Sequence, residues 1–157
     1  MSLEDLGSLS DLIAAIATIG TLLYLGLQIR QNTRTVKASV KDSLSKTMLE
    51  INGHFFADIE STRIWHTGRL NLATLSELER AQFSGFVLMS LYAAENNYFQ
   101  GKEGLAEHGY NARNERWIDW FSRQSGIVEM WPGIRDFLTD EFQEVFDARI
   151  KHNADSE

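Results

Sequence analysis

Two residue types that often shape or cross-link a fold are scarce in this chain of 157 residues, which has no cysteine and one proline, Pro132. Without cysteine the chain can form no disulfide, no thiolate zinc site and no cysteine nucleophile. With one proline and scattered glycines, few positions force a helix to end, so long helices joined by short turns are expected. Hydrophobic residues make up 43% of the chain, which is enough for one core. We therefore predict an all-α fold.

Charge is also missing from Leu12 to Ile29, where "LIAAIATIGTLLYLGLQI" runs for eighteen residues. A helix of that length measures about 27 Å, close to the ~30 Å thickness of the hydrocarbon core of a bilayer. The alternative is a buried helix of a soluble bundle, which usually carries a polar stripe. A cleavable signal peptide fits poorly, because acidic residues precede the run and no A-x-A site ends it. We predict an N-terminal tail and transmembrane helix at 1–29 that continue into a domain of about four to five helices at 30–157.

Positive charge is concentrated directly after the apolar run. Residues 30–46 hold five Lys or Arg against one Asp, whereas 1–29 hold three acidic residues and no Lys or Arg. By the positive-inside rule, the N-terminus is expected outside the cell and the C-terminal domain in the cytoplasm. The positive charges at three- and four-residue spacing should form a basic stripe that contacts lipid headgroups, although a solvated helix face is the alternative. The stripe consists of Arg30, Arg34, Lys37 and Lys41. A second stripe should pack on the domain: Val36, Val40, Leu44, Met48 and Ile51.

Small residues mark one face of the predicted transmembrane helix. Ala14, Ala17, Thr18 and Thr21 follow the i, i+3, i+4, i+7 spacing of a single helix face. Small side chains allow another transmembrane helix to approach closely, so this face is a candidate contact with a second copy or with a larger membrane complex. The alternative is a face that meets lipid only, because small residues are common in membrane helices.

The junction between the apolar and basic segments, "QIRQNT", resembles a widespread group of uncharacterised bacterial proteins that have one N-terminal membrane helix and a small helical domain. The later "RIWHTG" and the aromatic helix ending in "ENNYFQ" are similar to that group as well, so the resemblance covers most of the chain. It implies this architecture and a bacterial origin. With the apolar run, we therefore expect the protein in the bacterial inner membrane. The resemblance implies no substrate and no catalytic residue.

The remaining sequence predicts several helices with recognisable ends. A turn is expected at Asn52-Gly53, followed by a helix at 56–70, and a long central helix should begin at a capping box. The box is either Thr74-x-x-Glu77 or Ser76-x-x-Glu79, and the residues expected on the core face of that helix are Phe83, Phe86, Val87, Leu91 and Ala94. An amphipathic helix with Trp117, Trp120 and Phe121 inward should end at Ser125-Gly126, and the last two helices should be separated at Thr139 or Asp140.

Few residues in the domain predict chemistry. Glu95 ends a nearly apolar turn, where a carboxylate could act as an acid, a base or a metal ligand, or could pair with Arg69, Arg113 or Arg116 or cap a neighbouring helix. A pocket formed by Glu95, Arg113 and Trp117 would favour a small enzyme or a ligand-binding module. The four tryptophans could line a cofactor pocket or fill the core, and we favour the core.

The other patterns favour an interaction protein. No histidine lies at metal-ligand spacing, and phosphate-binding glycine motifs are missing, so we expect no metal, cofactor or catalytic residue. The acidic domain argues against nucleic acid. We therefore predict a membrane-anchored helical protein, not an enzyme, that associates with itself or acts as an accessory subunit of a membrane complex.

Overall fold

The computed structural model describes residues 3–105 and 108–156, and within them the fold is all-α, as predicted. Six α-helices are present in this part of the chain, and no strand is. Short 3₁₀ turns at Leu72–Thr74 and Arg135–Phe137 follow the second and fifth helices. The helices are α1 (Leu3–Phe55), α2 (Ile59–Leu70), α3 (Glu77–Lys102), α4 (His108–Phe121), α5 (Ser125–Ile134) and α6 (Asp140–Ala154).

The chain divides into two compact units, Met1–Ser39 and Val40–Glu157. The first contains the apolar run and most of the basic stripe, all on α1. The second contains the end of α1 and the five following helices, and it holds the hydrophobic core. The predicted boundary between 29 and 30 refers to the edge of a membrane, which this division does not test, so it stays a prediction.

The end of α1 is part of the core of the second unit. Leu44, Ile51 and Phe55 are buried, and the last two lie four residues apart on one face of the helix. The predicted turn at Asn52-Gly53 is wrong, because α1 continues to Phe55. Packing of Ile51 and Phe55 into the core stabilises this last turn, which outweighs the weak helix propensity of asparagine and glycine.

Stacked aromatic rings connect α1, α2 and α4. The ring of Phe55 lies 4.4 Å from that of Trp65, which stacks in turn on Phe121 at 5.9 Å. Trp117 also stacks on Phe121, at 4.1 Å, and Phe86 of α3 meets Phe55 edge-on at 5.0 Å. Trp120 was expected to face inward with Trp117 and Phe121, which is wrong, because it is 40% exposed. It lies instead under the guanidinium of Arg69, 5.8 Å from the ring centroid.

The central helix begins at the second of the two predicted capping boxes. The hydroxyl of Ser76 accepts from the Glu79 amide, and a Glu79 carboxylate oxygen accepts from the Ser76 amide at 2.7 Å. These bonds from Ser76, with an ion pair to Arg63, lower the pKa of Glu79 from 4.5 to about 2. The predicted core face of α3 is confirmed, since all five of its residues are buried: Phe83, Phe86, Val87, Leu91 and Ala94.

Gly126 allows α5 to touch the backbone of α2, and Gly68 makes room for a side chain of α3. A Cβ on Gly126 would overlap the carbonyl oxygen of Gly68, and one on Gly68 would lie 2.6 Å from the ring of Phe83. The prediction that Ser125-Gly126 ends a helix is therefore wrong: α4 ends at Phe121, and Ser125 begins α5. Glycine at 126 provides space for a neighbouring helix and does not terminate one.

Candidate functional site

The apolar run of α1 has no protein cover. Every residue from 10 to 39 is exposed, and the large apolar side chains between Leu12 and Ile29 are 45–66% exposed. A helix of a soluble bundle usually buries at least one apolar stripe, and this run buries none. By length and composition α1 could cross a membrane.

The two threonines of the small face have no free hydroxyl proton to offer. Thr18 donates to the carbonyl oxygen of Ala14, and Thr21 donates to that of Ala17, both at 2.8 Å. This internal bonding satisfies the hydroxyls without water, as a hydrocarbon environment requires. All four residues of the face are exposed, and their role in helix contact stays a prediction.

The basic stripe is exposed along α1, at Arg30, Arg34, Lys37 and Lys41. The exposure of the apolar stripe beside it decreases along the helix. Val36 is 39% exposed, whereas Leu44 and Ile51 are each only 4% exposed. The core of the second unit therefore covers this apolar stripe from Leu44 onward.

The proposed polar site around Glu95, Arg113 and Trp117 is only partly assembled. Glu95 accepts hydrogen bonds from the backbone N–H and the hydroxyl of Thr139, at 2.8 and 2.7 Å, immediately before α6. It therefore acts as a helix cap, the structural alternative that its position allowed, and it is not among the residues that line the groove occupied by the other two.

Arg113 and Trp117 do line one groove of the second unit, with a volume of about 310 Å³. Its apolar walls come from Met48 and Leu49 of α1 and from Trp117. Its polar wall comes from Asn97 of α3 and Asn114 of α4, with Arg113 beside them. Ser45 and Asn52 complete the lining.

The amide side chains of this groove were not predicted as site residues. Asn97 and Asn114 are 6% and 7% exposed, and their Oδ1 atoms have no hydrogen-bond partner within the part of the chain that the structure describes. The Asn114 amide nitrogen donates to the carbonyl oxygen of Ala94 at 3.0 Å. A sequence signal existed: amides lie three residues apart on two consecutive helices, at Asn97 and Gln100 and at Asn111 and Asn114.

Within the described residues, no group of three or more His, Asp or Glu side chains could hold a metal ion. Comparison with known proteins finds no matching family model, no matching curated protein and no matching solved structure. The fold and the exposed surfaces therefore define the protein only as a class: it is an all-α protein with one long apolar N-terminal helix. Membership in the bacterial group that it resembles stays a prediction.

Proposed function

We propose that this protein is a single-pass membrane-anchored interaction protein, which associates with itself or serves as a small accessory subunit of a membrane complex. The observation that carries the proposal is the complete exposure of α1 between residues 10 and 39. The apolar part of this helix needs a nonpolar surrounding, and lipid provides one. Catalysis is not part of the proposal.

Insertion of this run into a bilayer is favourable because each large apolar side chain contributes to it. Ten large apolar side chains between Leu12 and Ile29 are exposed. In a transmembrane helix each leucine or isoleucine contributes roughly −0.3 to −0.6 kcal/mol near the bilayer centre, and no charge in the run opposes this gain. Left in water, the same side chains would form an apolar surface far larger than soluble monomers usually show.

The charge distribution supports an orientation with the helical bundle in the cytoplasm. All four residues of the basic stripe are exposed and follow the apolar run, and each cation near an anionic leaflet contributes about 1 kcal/mol. Together with the resemblance to a bacterial group, this supports a location in the inner membrane, with the residues before the span outside.

Location and orientation can be tested on one chain. The Ile19→Arg/Leu22→Arg double variant adds two charges at the centre of the run, each costing roughly 2.5–3.5 kcal/mol in the bilayer. We expect the native chain to resist extraction by alkaline carbonate and the double variant to be released, while the Ile19→Leu/Leu22→Ile control behaves like the native chain. A native chain that carbonate extracts refutes the anchor, and an active C-terminal alkaline phosphatase fusion refutes the orientation.

The basic stripe has its own test. Replacing Arg30, Arg34, Lys37 and Lys41 by Gln should weaken the contact with anionic lipid by about 1 kcal/mol per charge. The full chain is reconstituted into vesicles that contain or lack phosphatidylglycerol. The proximity of the stripe to the lipid is then measured by fluorescence resonance energy transfer to a labelled lipid headgroup. Equal transfer for the native chain in both vesicles would mean that the stripe is merely solvated.

The association half of the proposal depends on the small face. Ala17→Leu and Thr21→Leu would hold a neighbouring helix away, while leucine keeps the helix and its insertion. Ile16→Ala and Leu23→Ala serve as controls on the opposite face. We expect the detergent-solubilised particle of the first pair to become smaller or lose a subunit, by light scattering and mass spectrometry, and that of the controls to remain unchanged. An unchanged particle in the first pair removes the small face from the association.

A further inference from the structure

We propose that the groove between the end of α1, α3 and α4 binds a small amphipathic molecule that carries an N–H donor group, such as a primary amide, on an apolar or aromatic body. All residues that form this groove belong to the second unit. The inference is independent of the membrane anchor and of any protein partner.

Two buried acceptors at the polar side of the groove have no donor in the described part of the chain. Asn97 and Asn114 are both more than nine-tenths buried, and both Oδ1 atoms lack a partner among the described residues. Burying an acceptor without a donor costs roughly 1–3 kcal/mol of stability. A ligand N–H that bonds to this acceptor removes that penalty, which the free protein already carries. A molecule with only acceptors would leave that cost in place.

The same two side chains can turn toward the ligand. Asn97 and Asn114 also line a neighbouring cavity of about 320 Å³, so they stand between two open spaces. The terminal torsion of asparagine is broad, so its rotation can direct Oδ1 to either side. Asn114 keeps its bond to Ala94 in the present orientation, which makes Asn97 the more adaptable acceptor.

The other end of the groove suits an apolar body. A cavity of about 290 Å³ shares Met48, Asn52 and Trp117 with the groove and extends along aromatic residues, including Phe55 and Trp65. A volume near 300 Å³ is at the lower end of the range for small-molecule sites, and such sites are mostly apolar with a few convergent polar groups. The arrangement selects a molecule with one polar head and one apolar end.

Three matched probes test the head group on the native full-length chain in lipid nanodiscs: 4-phenylbutanamide, its N,N-dimethyl derivative and 4-phenylbutanoate. The four tryptophans are labelled with 5-fluorotryptophan, and the Trp117 signal is assigned by its loss in Trp117→Phe. We expect saturable shifts of that signal with the primary amide and about tenfold weaker binding of the dimethyl amide, which lacks the donors. Equal binding of the two amides, or tighter binding of the carboxylate at Arg113, overturns the proposal.

One variant pair then assigns the acceptor. Asn97→Leu removes one of the two unpartnered oxygens beside the groove. Gln100→Leu is the matched control, since Gln100 lies one turn further along α3, also has an unpartnered amide oxygen, and does not line the groove. We expect Asn97→Leu to weaken binding of 4-phenylbutanamide about tenfold without lowering the thermal midpoint, and the control to bind like the native chain. Unchanged affinity in Asn97→Leu, or an equal loss in both variants, would refute the assignment.

Discussion

Replacing Gly126 by alanine should destabilise the bundle, although alanine is the better helix former. The added methyl would overlap the carbonyl oxygen of Gly68, and a backbone oxygen cannot rotate aside as a side chain can. Overpacking of this kind costs typically 1–3 kcal/mol, against which alanine recovers less than about 1 kcal/mol near a helix start. We expect a net loss of about 2 kcal/mol, or roughly 5–10 °C in the thermal midpoint.

The matched control is Gly85→Ala. Gly85 lies exposed in the middle of α3, and nothing lies within 4 Å of the position that its Cβ would take. The same substitution should therefore stabilise by about 1 kcal/mol through helix propensity alone. Thermal unfolding followed by circular dichroism at 222 nm, with all chains in one detergent, compares the three proteins. A midpoint for Gly126→Ala at or above that of the native chain would refute the backbone contact between α2 and α5.

Three further predictions use contacts of the same unit. Glu79 has a pKa depressed from 4.5 to about 2, so its contribution to stability is present above pH 4.5 and is lost as the pH falls toward 2; the difference in urea midpoint between the native chain and Glu79→Gln should shrink across that window. Glu95→Ala removes the acceptor of the Thr139 backbone N–H and should cost about 1–2 kcal/mol in urea unfolding, more than Thr139→Ala. Phe55→Ala should cost about 3–5 kcal/mol in the same assay, because it empties a buried position between Trp65 and Phe86.

Features decided by a few neighbouring residues could be predicted from the sequence. The Ser76-x-x-Glu79 capping box and the core face of α3 depend on local bonding and helical periodicity, and both were found. Gly126 was misread because its role depends on Gly68, which is far away in the chain. A glycine that ends a helix and a glycine that allows two helices to touch look alike in one sequence.

In the candidate site, too, contacts within one helix could be predicted and contacts between distant segments could not. Arg113 and Trp117, four residues apart on α4, do line one groove, as helical spacing allows. Glu95 does not join them, because its capping of α6 depends on where the chain returns 44 residues later. The amides were overlooked because asparagine usually indicates turns and caps, and nothing local shows that two asparagines on different helices will be buried together.

The column of stacked rings that begins at Phe55 also has an optical consequence. Its members absorb in the near ultraviolet and are held at fixed angles, so their electronic transitions couple and give a circular dichroism band. That band should disappear when side-chain packing is lost, even if the helices persist. Near-ultraviolet circular dichroism therefore reports on the junction of α1, α2 and α4, to which Trp131, packed on Phe146, adds a signal from α5 and α6.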